Sequence, residues 1–338
     1  MTTDNAVLVL CGPDVHALLE GRNREVIDAV RDAYVAHQAG KSCLPHSVFV
    51  RFPGRVKERI IALPAYLGGD DEIAGIKWIS SFPGNLERGI SRASAIMVLN
   101  SLETGRPEVI LEGSLISAAR TAASAALAAD VLHPAGDIDV LGIVGCGLIN
   151  REIVRFVSSL GRQVGRILVY DVDPQRAAHF AEVLAPFAGK IPVEACTALG
   201  DLMARAHVIS FATTAVEPTV SDITAFRPGA TILHISLRDL MPEVVLGADN
   251  VVDDVDHVMR AQTSLHLAEQ KEGHRRFVRC TLAEIINGSQ PARRDDKSIV
   301  IFSPFGLGIL DLALARLIMK HARVLEQGIR IDRFFEGA

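Results

Sequence analysis

The sequence predicts an α/β fold in two domains: a Rossmann-type, doubly wound parallel sheet and a second domain built on an antiparallel sheet. Two observations predict this fold. Up to residue 112, short strand-like segments follow one another with turns rather than helices between them, which is typical of an antiparallel meander. From Pro134 onward strands and helices alternate, which indicates parallel strands joined by right-handed crossovers. The 338 residues are enough for two domains, each with its own core.

The first domain begins with a predicted helix. From Val15 to Gln38, apolar residues recur at spacings of three and four, and Gly40 marks the end. The strands that follow are short, rich in β-branched or aromatic residues and separated by turn residues; they are Ser47–Phe52, Arg59–Leu67, Ile73–Phe82, Ala95–Asn100 and Glu108–Glu112. An alanine-rich helix, Ser114–Leu132, closes this part and allows another element to pack very close to it.

The second domain is predicted over residues 134–305, which leaves residues 1–133 and 306–338 for the first. Its strands are predicted at Asp139–Val144, Arg166–Tyr170, Val193, Ala206–Phe211, Thr231–Ile235, Asn250–Val252 and Ser298–Phe302. Its helices are predicted at Leu148–Leu160, at Pro174–Phe187 and from Thr197. We expect the last helix, Leu307–Leu325, to leave this domain and pack back on the first.

The composition argues against several classes of protein. A formal net charge of −5, 5% aromatic residues and the lack of any basic block argue against a nucleic-acid partner. The five cysteines form no Cys-x-x-Cys pair and the histidines show no metal-ligand spacing, so neither a disulfide framework nor a metal site is expected. Arg120 and Asp130 interrupt the most apolar helical stretch, and the first ten residues do not resemble a signal peptide. We therefore expect a cytoplasmic protein with no membrane partner.

A glycine-rich turn is the strongest local signal. The run LGIVGCGLIN contains an apolar strand, the turn and the start of an amphipathic helix. Gly145 allows a tight turn, Gly147 lets the backbone approach a pyrophosphate at the helix N-terminus, and Asn150 stands where a third glycine is usual. A purely structural turn would also contain such glycines, but their place at the opening of a βαβ unit favours a dinucleotide site. The turn residues expected to contact the cofactor are Gly145, Gly147, Leu148, Ile149 and Asn150.

An acidic residue after the next strand predicts which dinucleotide is bound. Asp171 lies 24 residues beyond Gly147, where a carboxylate suits the ribose hydroxyls of NAD and repels the extra phosphate of NADP. Spacing alone leaves Asp173 open as the ribose ligand. Two further strands end in polar loops at the sheet edge where nucleotides lie, although ordinary surface loops remain the alternative. The candidates in these loops are Thr213, Thr214, Ser236, Arg238 and Asp239.

The first domain carries cations in apolar surroundings. Four of them lie in or beside apolar strands or helices, where a lone charge is expensive to bury: Arg51, Lys77, Arg92 and Arg120. Arginine binds carboxylates in bidentate fashion, so four cations converging on one cleft predict an anionic substrate with more than one carboxylate. Taken singly, each also fits a surface residue or a partner in an ion pair.

Three motifs together resemble the ornithine cyclodeaminase/μ-crystallin family. In order along nearly the whole chain they are GIKWISSFP (75–83), AARTAA (118–123) and the GCGLIN turn. The runs that resemble a siderophore-pathway branch of that family are KWISSFPGN (77–85), SRASA (91–95), ISLRDLMPE (235–243) and NVVDDVDH (250–257). The resemblance implies an NAD-dependent enzyme that converts N-(2-amino-2-carboxyethyl)-L-glutamate into L-2,3-diaminopropionate and 2-oxoglutarate. It also implies a homodimer built through the antiparallel domain.

Site residues of the family can be transferred by position. Lys77 and Arg120 match its substrate-carboxylate residues, as does Arg51, and Asp239 occupies the place of its catalytic aspartate. The implied mechanism is hydride transfer from the glutamate Cα to NAD, followed by hydrolysis of the imine. Lys77 and Asp239 are the residues expected to take part in catalysis.

The sequence departs from the cyclodeaminase pattern at Ile61, where the family has an acidic residue suited to a cationic diamine. Together with the additional cation Arg92, this change favours an anionic substrate over ornithine. Three alternatives remain open. The chain could be an ornithine cyclodeaminase or a related amino-acid dehydrogenase or imine reductase. It could also be a non-catalytic nucleotide- or ligand-binding protein, or a redox regulator with an unrelated substrate.

Overall fold

Two units make up the structure, a computed structural model that describes residues 5–335 apart from the side chains of Val56 and Pro186. Unit 1 combines the residues up to Arg120 with those from Leu307 onward, and unit 2 runs from Thr121 to Gly306. The first division observed in the structure follows Arg120, inside the continuous helix Ser114–Leu132, whereas the sequence predicted it after residue 133. The second observed division differs from the predicted one by one residue. Residues 1–4 and 336–338 of the predicted first domain lie outside the described residues.

The N-terminal segment of unit 1 continues through a helix into unit 2. Its elements are β1 (Val7–Leu10), α1 (Gly12–Leu19), α2 (Asn23–Gln38), β2 (Ser42–Cys43), β3 (Val48–Phe52), β4 (Arg55–Leu67), β5 (Ile73–Ser81), β6 (Ala93–Asn100), β7 (Pro107–Glu112) and α3 (Ser114–Leu132). The single helix predicted from Val15 to Gln38 is two helices, because Gly21 adopts a left-handed backbone with φ 72° between them. A 3₁₀ turn, Pro83–Arg88, joins β5 to β6.

Unit 2 alternates strands and helices as predicted. Its elements are β8 (Ile138–Val144), α4 (Leu148–Val157), β9 (Val164–Tyr170), α5 (Pro174–Ala188), β10 (Val193–Ala195), α6 (Leu199–Arg205), β11 (Val208–Phe211), β12 (Thr231–His234), α7 (Pro242–Leu246), β13 (Asp249–Val252), α8 (Val255–Val258), α9 (Ser264–Glu272), β14 (Val278–Thr281), α10 (Leu282–Ile286) and β15 (Val300–Ser303). A 3₁₀ turn, Ile223–Ala225, precedes β12. The helices α7, α8, α9 and α10 and the strand β14 were not predicted. All except the nine-residue α9 have only four or five residues, which show too little periodicity.

The C-terminal segment returns to unit 1 as α11 (Gly308–Leu325) and β16 (Ile329–Ile331). The sheet of this unit has the order β16-β1-β7-β6-β5-β4-β2, with β3 paired to β4. Strands β3 to β7 form the predicted antiparallel meander. The sheet as a whole is mixed, because β1 pairs in parallel with β7. Helix α11 packs on β4, β5 and α2, as expected for the last helix.

All eight strands of unit 2 are parallel, in the order β10-β9-β8-β11-β12-β15-β13-β14. The chain proceeds from β8 to β10 at one edge and then from β11 to β14 at the other, and β15 returns to lie between β12 and β13. The predicted doubly wound sheet is therefore confirmed. The direction reverses between β8 and β11, and in such sheets ligands bind outside the carboxyl ends of the strands at that point.

Helix α3 meets the length and composition of a membrane span, but 72% of its most apolar window is buried inside the protein. Its alanines account for much of this burial, including Ala122, Ala125 and Ala126, which have no exposed surface. A core helix of this kind passes the same test as a membrane span, so the helix gives no support for a membrane location.

Candidate functional site

The glycine-rich turn of unit 2 joins β8 to α4 at the point where the sheet reverses direction. Gly145 has φ 92°, and a Cβ there would lie 2.7 Å from the carbonyl oxygen of Ala212, so this position requires glycine. Apart from Gly147 itself and its two neighbours in the chain, no atom of the described residues comes within 4 Å of a Cβ built on Gly147. Leu148, the first residue of α4, is 52% exposed, and Ile149 is half-buried. The N-terminus of α4 is therefore open to an anionic group such as a pyrophosphate.

The side chain of Asn150 holds this turn in place. It is fully buried, and its Nδ2 donates to the carbonyl oxygens of Val144 at 2.8 Å and Gly145 at 2.7 Å. Its Oδ1 accepts a hydrogen bond of 2.7 Å from the Ser210 hydroxyl. The sequence predicted that Asn150 contacts the cofactor. The structure corrects this prediction for the side chain, because both of its polar atoms are hydrogen-bonded to other residues of the protein.

Asp171 follows β9 and contacts the glycine-rich turn directly. Its Oδ2 accepts a 2.8 Å hydrogen bond from the backbone N–H of Cys146, and Arg176 Nε lies 3.9 Å from the same oxygen. Asp173 instead forms the N-cap of α5, where its Oδ1 accepts from the backbone N–H of Gln175 at 2.9 Å. Of the two aspartates that spacing left open, only Asp171 bonds to the turn within the described chain.

Asp239 is the buried carboxylate of unit 2. It lies beyond the end of β12, is 1% exposed, and accepts hydrogen bonds from the hydroxyls of Thr213 on Oδ1 and Ser236 on Oδ2. His234 Nε2 lies 3.2 Å from the Asp239 backbone nitrogen and 3.5 Å from Oδ2. We predicted Thr213 and Ser236 as cofactor contacts, but their hydroxyls are directed at Asp239. Thr214 is exposed, and its hydroxyl has no protein partner in the described chain.

The environment of Asp239 keeps it ionised. Burial on its own would raise the pKa of this carboxyl, but its contact with His234 and its hydrogen bonds from the hydroxyls of Ser236 and Thr213 outweigh burial. The pKa of Asp239 is therefore below its ordinary value of 3.8. A charged carboxylate in this position can stabilise a developing cation or orient a water molecule.

Unit 1 contains a buried cluster of three charges. Lys77 of β5 is 2% exposed, and its Nζ donates to Asp311 Oδ2 at 2.7 Å and to Ser117 Oγ at 3.1 Å. Arg120 of α3 donates from Nε to Asp311 Oδ1 at 3.2 Å. Asp311 lies in the first turn of α11 and has no exposed surface. Two of the four predicted cations are therefore brought together by one carboxylate.

Lys77 loses its proton more easily than an ordinary lysine. Burial lowers its pKa from 10.5 to about 8; attraction to Asp311 opposes this change, and repulsion from Arg120 adds to it. The ammonium form therefore predominates below about pH 8. A lysine with such a pKa can bind a carboxylate when charged or transfer a proton near neutral pH.

The other two predicted cations are not part of this cluster. Arg51 is exposed, with its guanidinium carbon 5.4 Å from the ring centroid of Phe49, and Arg92 is half-buried. Among residues 5–335, neither guanidinium has a carboxylate partner. Ile61, which stands where the resemblance predicted an acidic residue in cyclodeaminases, pairs across the sheet with Phe49 and Ile79. These three apolar residues form a cross-strand row beside the row that contains Lys77.

Sequence reasoning missed Asp311, Ser117 and the role of His234. A signal for Asp311 was present: in the run GILDLALARLIM at the start of α11 it is the only acidic residue, and Arg316 is the only other charged one. His234 was interpreted as a capping or core residue, and it is fully buried. No pattern in the sequence indicated that its ring contacts Asp239.

Comparison with known proteins identifies the family and a set of related enzymes. Residues 9–326 match the ornithine cyclodeaminase/mu-crystallin family. The N-((2S)-2-amino-2-carboxyethyl)-L-glutamate dehydrogenase of Staphylococcus aureus is 29% identical over 334 residues, which cover 97% of this chain and 99% of that protein. The resemblance that the motifs indicated is therefore confirmed.

Solved structures of related enzymes share the fold. The Thermococcus litoralis Δ(1)-pyrroline-2-carboxylate reductase in complex with NADH and L-proline has a TM-score of 0.89 and 27% identity, covering 96% of this chain and 100% of that one. An archaeal alanine dehydrogenase dimer with bound NAD has a TM-score of 0.85 and 27% identity, covering 97% and 99% of the two chains. These relatives are nicotinamide-dependent oxidoreductases that act on amino acids or their imines.

Proposed function

This chain belongs to the ornithine cyclodeaminase/mu-crystallin family, and from that premise we propose that it is an NAD-dependent dehydrogenase of N-(2-amino-2-carboxyethyl)-L-glutamate. The products would be L-2,3-diaminopropionate and 2-oxoglutarate, with a place in siderophore-type biosynthesis. One observation carries the choice of substrate: the four cations that the sequence singled out in unit 1 outnumber their acidic partners. Asp311 is shared by Lys77 and Arg120, while Arg51 and Arg92 have no carboxylate partner in the described chain. Such a surplus suits a substrate with three carboxylates.

The residues of unit 2 fit an NAD molecule. A pyrophosphate suits the glycine-rich turn, because the backbone packs closely at Gly145, space is open at Gly147 and the N-terminus of α4 is accessible. Asp171, which bonds to this turn, suits the adenosine ribose. When bound, NAD would supply the acceptor for the hydride that leaves the glutamate Cα of the substrate.

The chain's own residues would carry out the remaining steps. Lys77 and Arg120 hold a substrate carboxylate, and this fixes the orientation of the reacting carbon; orientation alone can be worth roughly 7–11 kcal/mol. Loss of the hydride leaves a positive charge on the nitrogen, which the ionised Asp239 can stabilise. Asp239 would then orient the water that adds to the carbon–nitrogen double bond, and cleavage of the C–N bond releases the amine and the 2-oxo acid.

We also propose that the protein is a homodimer formed through the meander of unit 1. On its outer face Val48, Ala62, Trp78 and Ile96 pair in one row across four strands. Val48 is 63% exposed, Trp78 40% and Ile96 47%, so the row offers an apolar surface to a second copy. The dimeric alanine dehydrogenase among the structural relatives supports this arrangement.

A substrate panel tests the proposed function. We expect NADH to form from NAD and the diaminopropionate–glutamate conjugate, with 2-oxoglutarate and L-2,3-diaminopropionate detected by mass spectrometry. Ornithine should react much more slowly, because it is a net cation and Ile61 offers no carboxylate for its second amine. Faster release of ammonia and formation of proline from ornithine would identify a cyclodeaminase instead. Turnover of alanine or of a cyclic imine would identify another dehydrogenase or reductase, and NAD binding without any turnover would favour a non-catalytic protein.

Arg92→Ala is the informative variant in the same assay. A hydrogen bond to a charged group contributes about 1.5–3 kcal/mol, so kcat/KM for the conjugate should fall roughly 10–150-fold while NAD affinity is unchanged. The control is Arg24→Ala, which removes an exposed arginine of α2 whose one ion-pair partner among residues 5–335 is Asp28. An Arg92→Ala enzyme as active as the control on the conjugate would remove Arg92 from the substrate site.

Asp171 should determine the preference for NAD over NADP. A carboxylate facing the 2′-phosphate of NADP costs several kcal/mol, so we expect NAD to bind at least about tenfold more tightly in fluorescence titrations. Asp171→Asn should reduce this preference, because it removes the charge and leaves Arg176 free to meet a phosphate. Asp173→Asn, in the N-cap of α5, is the matched control and should keep the preference. Tighter binding of NADP by the unmodified protein would contradict the assignment.

A further inference from the structure

We propose that Asp311 is a positioning residue that makes the Lys77–Arg120 pair a receptor for one carboxylate group. This inference rests on the proposed function, because it concerns how the substrate is held. Asp311 accepts from Lys77 on Oδ2 at 2.7 Å and from Arg120 on Oδ1 at 3.2 Å. Each cation is thus bound to a separate oxygen of one carboxylate, and that carboxylate is fixed in the first turn of a buried helix.

The unused donors of the two cations show what the cluster can still bind. Lys77 has three N–H donors and uses two of them, on Asp311 and Ser117. Arg120 uses Nε on Asp311 and Nη2 on Ser117 at 3.4 Å, and its Nη1 has no partner among residues 5–335. One N–H of the Lys77 ammonium group and Nη1 of Arg120 therefore remain available as donors. A single carboxylate has two oxygens and can accept a hydrogen bond from each of these donors.

A purely structural ion pair in the same protein has a different pattern. Arg279 of unit 2 donates from Nε to the buried Asp249, and from Nη1 and Nη2 to the carbonyl oxygens of Pro291 and Ala292. All three of its nitrogens are bound within the protein. Arg120 is nearly as buried, but its Nη1 has no partner within the described chain.

The charges of the cluster define the ligand class. The charged groups that face Lys77 are Asp311 from α11 and Arg120 from α3, and the residues opposite it on β4 and β6 are Leu63 and Met97. Two cations and one anion leave a net charge of +1, which one carboxylate neutralises. Mono- and polycarboxylates can therefore use this receptor equally.

An NMR titration of Lys77 tests the role of Asp311 without requiring turnover. The protein has seven lysines, so the ε-carbon signals of ¹³C-lysine-labelled protein can be resolved, and Lys77→Arg identifies the Lys77 signal. In the unmodified protein Lys77 should titrate with a pKa of about 8. In Asp311→Asn the pKa should fall by about 1–3, because an opposite charge in contact is lost. Asp249→Asn removes a buried aspartate from unit 2 and should leave the Lys77 signal unchanged.

Pyruvate serves as a monocarboxylate probe in the second arm. At a pH below the Lys77 midpoint of each protein, pyruvate should produce a saturable change in the Lys77 signal with one molecule bound. Asp311→Asn should weaken this binding at least about tenfold, because the two donors lose their common anchor. Asp311→Glu keeps the charge but displaces it by one methylene, so the Lys77 pKa should stay near that of the unmodified protein while pyruvate binding weakens.

Two results would overturn the inference. One is an unchanged Lys77 pKa in Asp311→Asn. The other is pyruvate binding of unmodified strength in Asp311→Glu, which remains measurable even if Asp311→Asn does not fold. Neither readout depends on oxidation of the proposed substrate. Failure of the dehydrogenase assay with normal Lys77 behaviour would therefore count against the proposed function and leave the role of Asp311 intact.

Discussion

Replacement of Asp239 by asparagine is expected to lower turnover of the substrate by about 10²–10⁴-fold while NAD affinity stays the same. Asparagine has the same shape but no charge, so it can neither stabilise the cation left by hydride removal nor orient water as a base. The hydroxyls of Thr213 and Ser236 each donate to one carboxylate oxygen of Asp239. In the asparagine variant one of these oxygens is replaced by the amide NH₂, which cannot accept a hydrogen bond. Stopped-flow measurement of NADH formation and a separate NAD titration distinguish the two effects.

The pH dependence gives this prediction a second test. Because the pKa of Asp239 is held below 3.8, the carboxylate stays ionised as the pH falls to about that value, and its protonation should produce no loss of activity near neutral pH. Asp222→Asn changes an exposed aspartate that caps the 3₁₀ turn Ile223–Ala225, and serves as the control for loss of one negative charge in unit 2. Near-normal turnover of a folded Asp239→Asn protein would remove Asp239 from catalysis.

The order of strands and the nucleotide turn could be predicted because both depend on local patterns. Alternation between strands and helices specifies a doubly wound sheet, and the turn around Gly145 needs a backbone conformation that glycine favours. Asp171 could be found because it follows a strand at a recognisable distance. In each case the relevant information lies within about 30 residues, the length of one βαβ unit.

The charged clusters depend on partners that are distant in the sequence. Asp311 is 234 residues from Lys77 and 191 from Arg120, so no local pattern could connect them. The direction of a hydroxyl is equally non-local: Ser236 and Thr213 were placed correctly at the sheet edge, yet the position of Asp239 determines where they point. Strands as short as β2 were missed for another reason, because two residues cannot show an alternating pattern.

Alanine substitution at the two glycines of the nucleotide turn should weaken NAD binding in both cases but lower stability only at Gly145. In Gly145→Ala the new Cβ would lie 2.7 Å from the Ala212 carbonyl oxygen in a backbone with φ 92°. The unfavourable backbone conformation and the steric clash each cost about 1–3 kcal/mol. We expect the Tm of the protein to fall by roughly 5–20 °C and NAD binding to be lost with the shape of the turn. Differential scanning calorimetry with and without NAD measures both effects.

Gly147→Ala is the matched variant, because its backbone (φ −118°, ψ 179°) suits any residue and its Cβ meets no protein atom of the described chain. Alanine is a poorer N-cap than glycine, but it also restricts the unfolded chain, and these effects of about 0.5–1 kcal/mol oppose each other. The Tm should therefore stay within about 2 °C of the unmodified value. The added methyl group would occupy space that a pyrophosphate needs, so NAD affinity should fall about tenfold or more. Unchanged NAD affinity in Gly147→Ala would show that the pyrophosphate does not lie at this turn, whatever the effect of Gly145→Ala on stability.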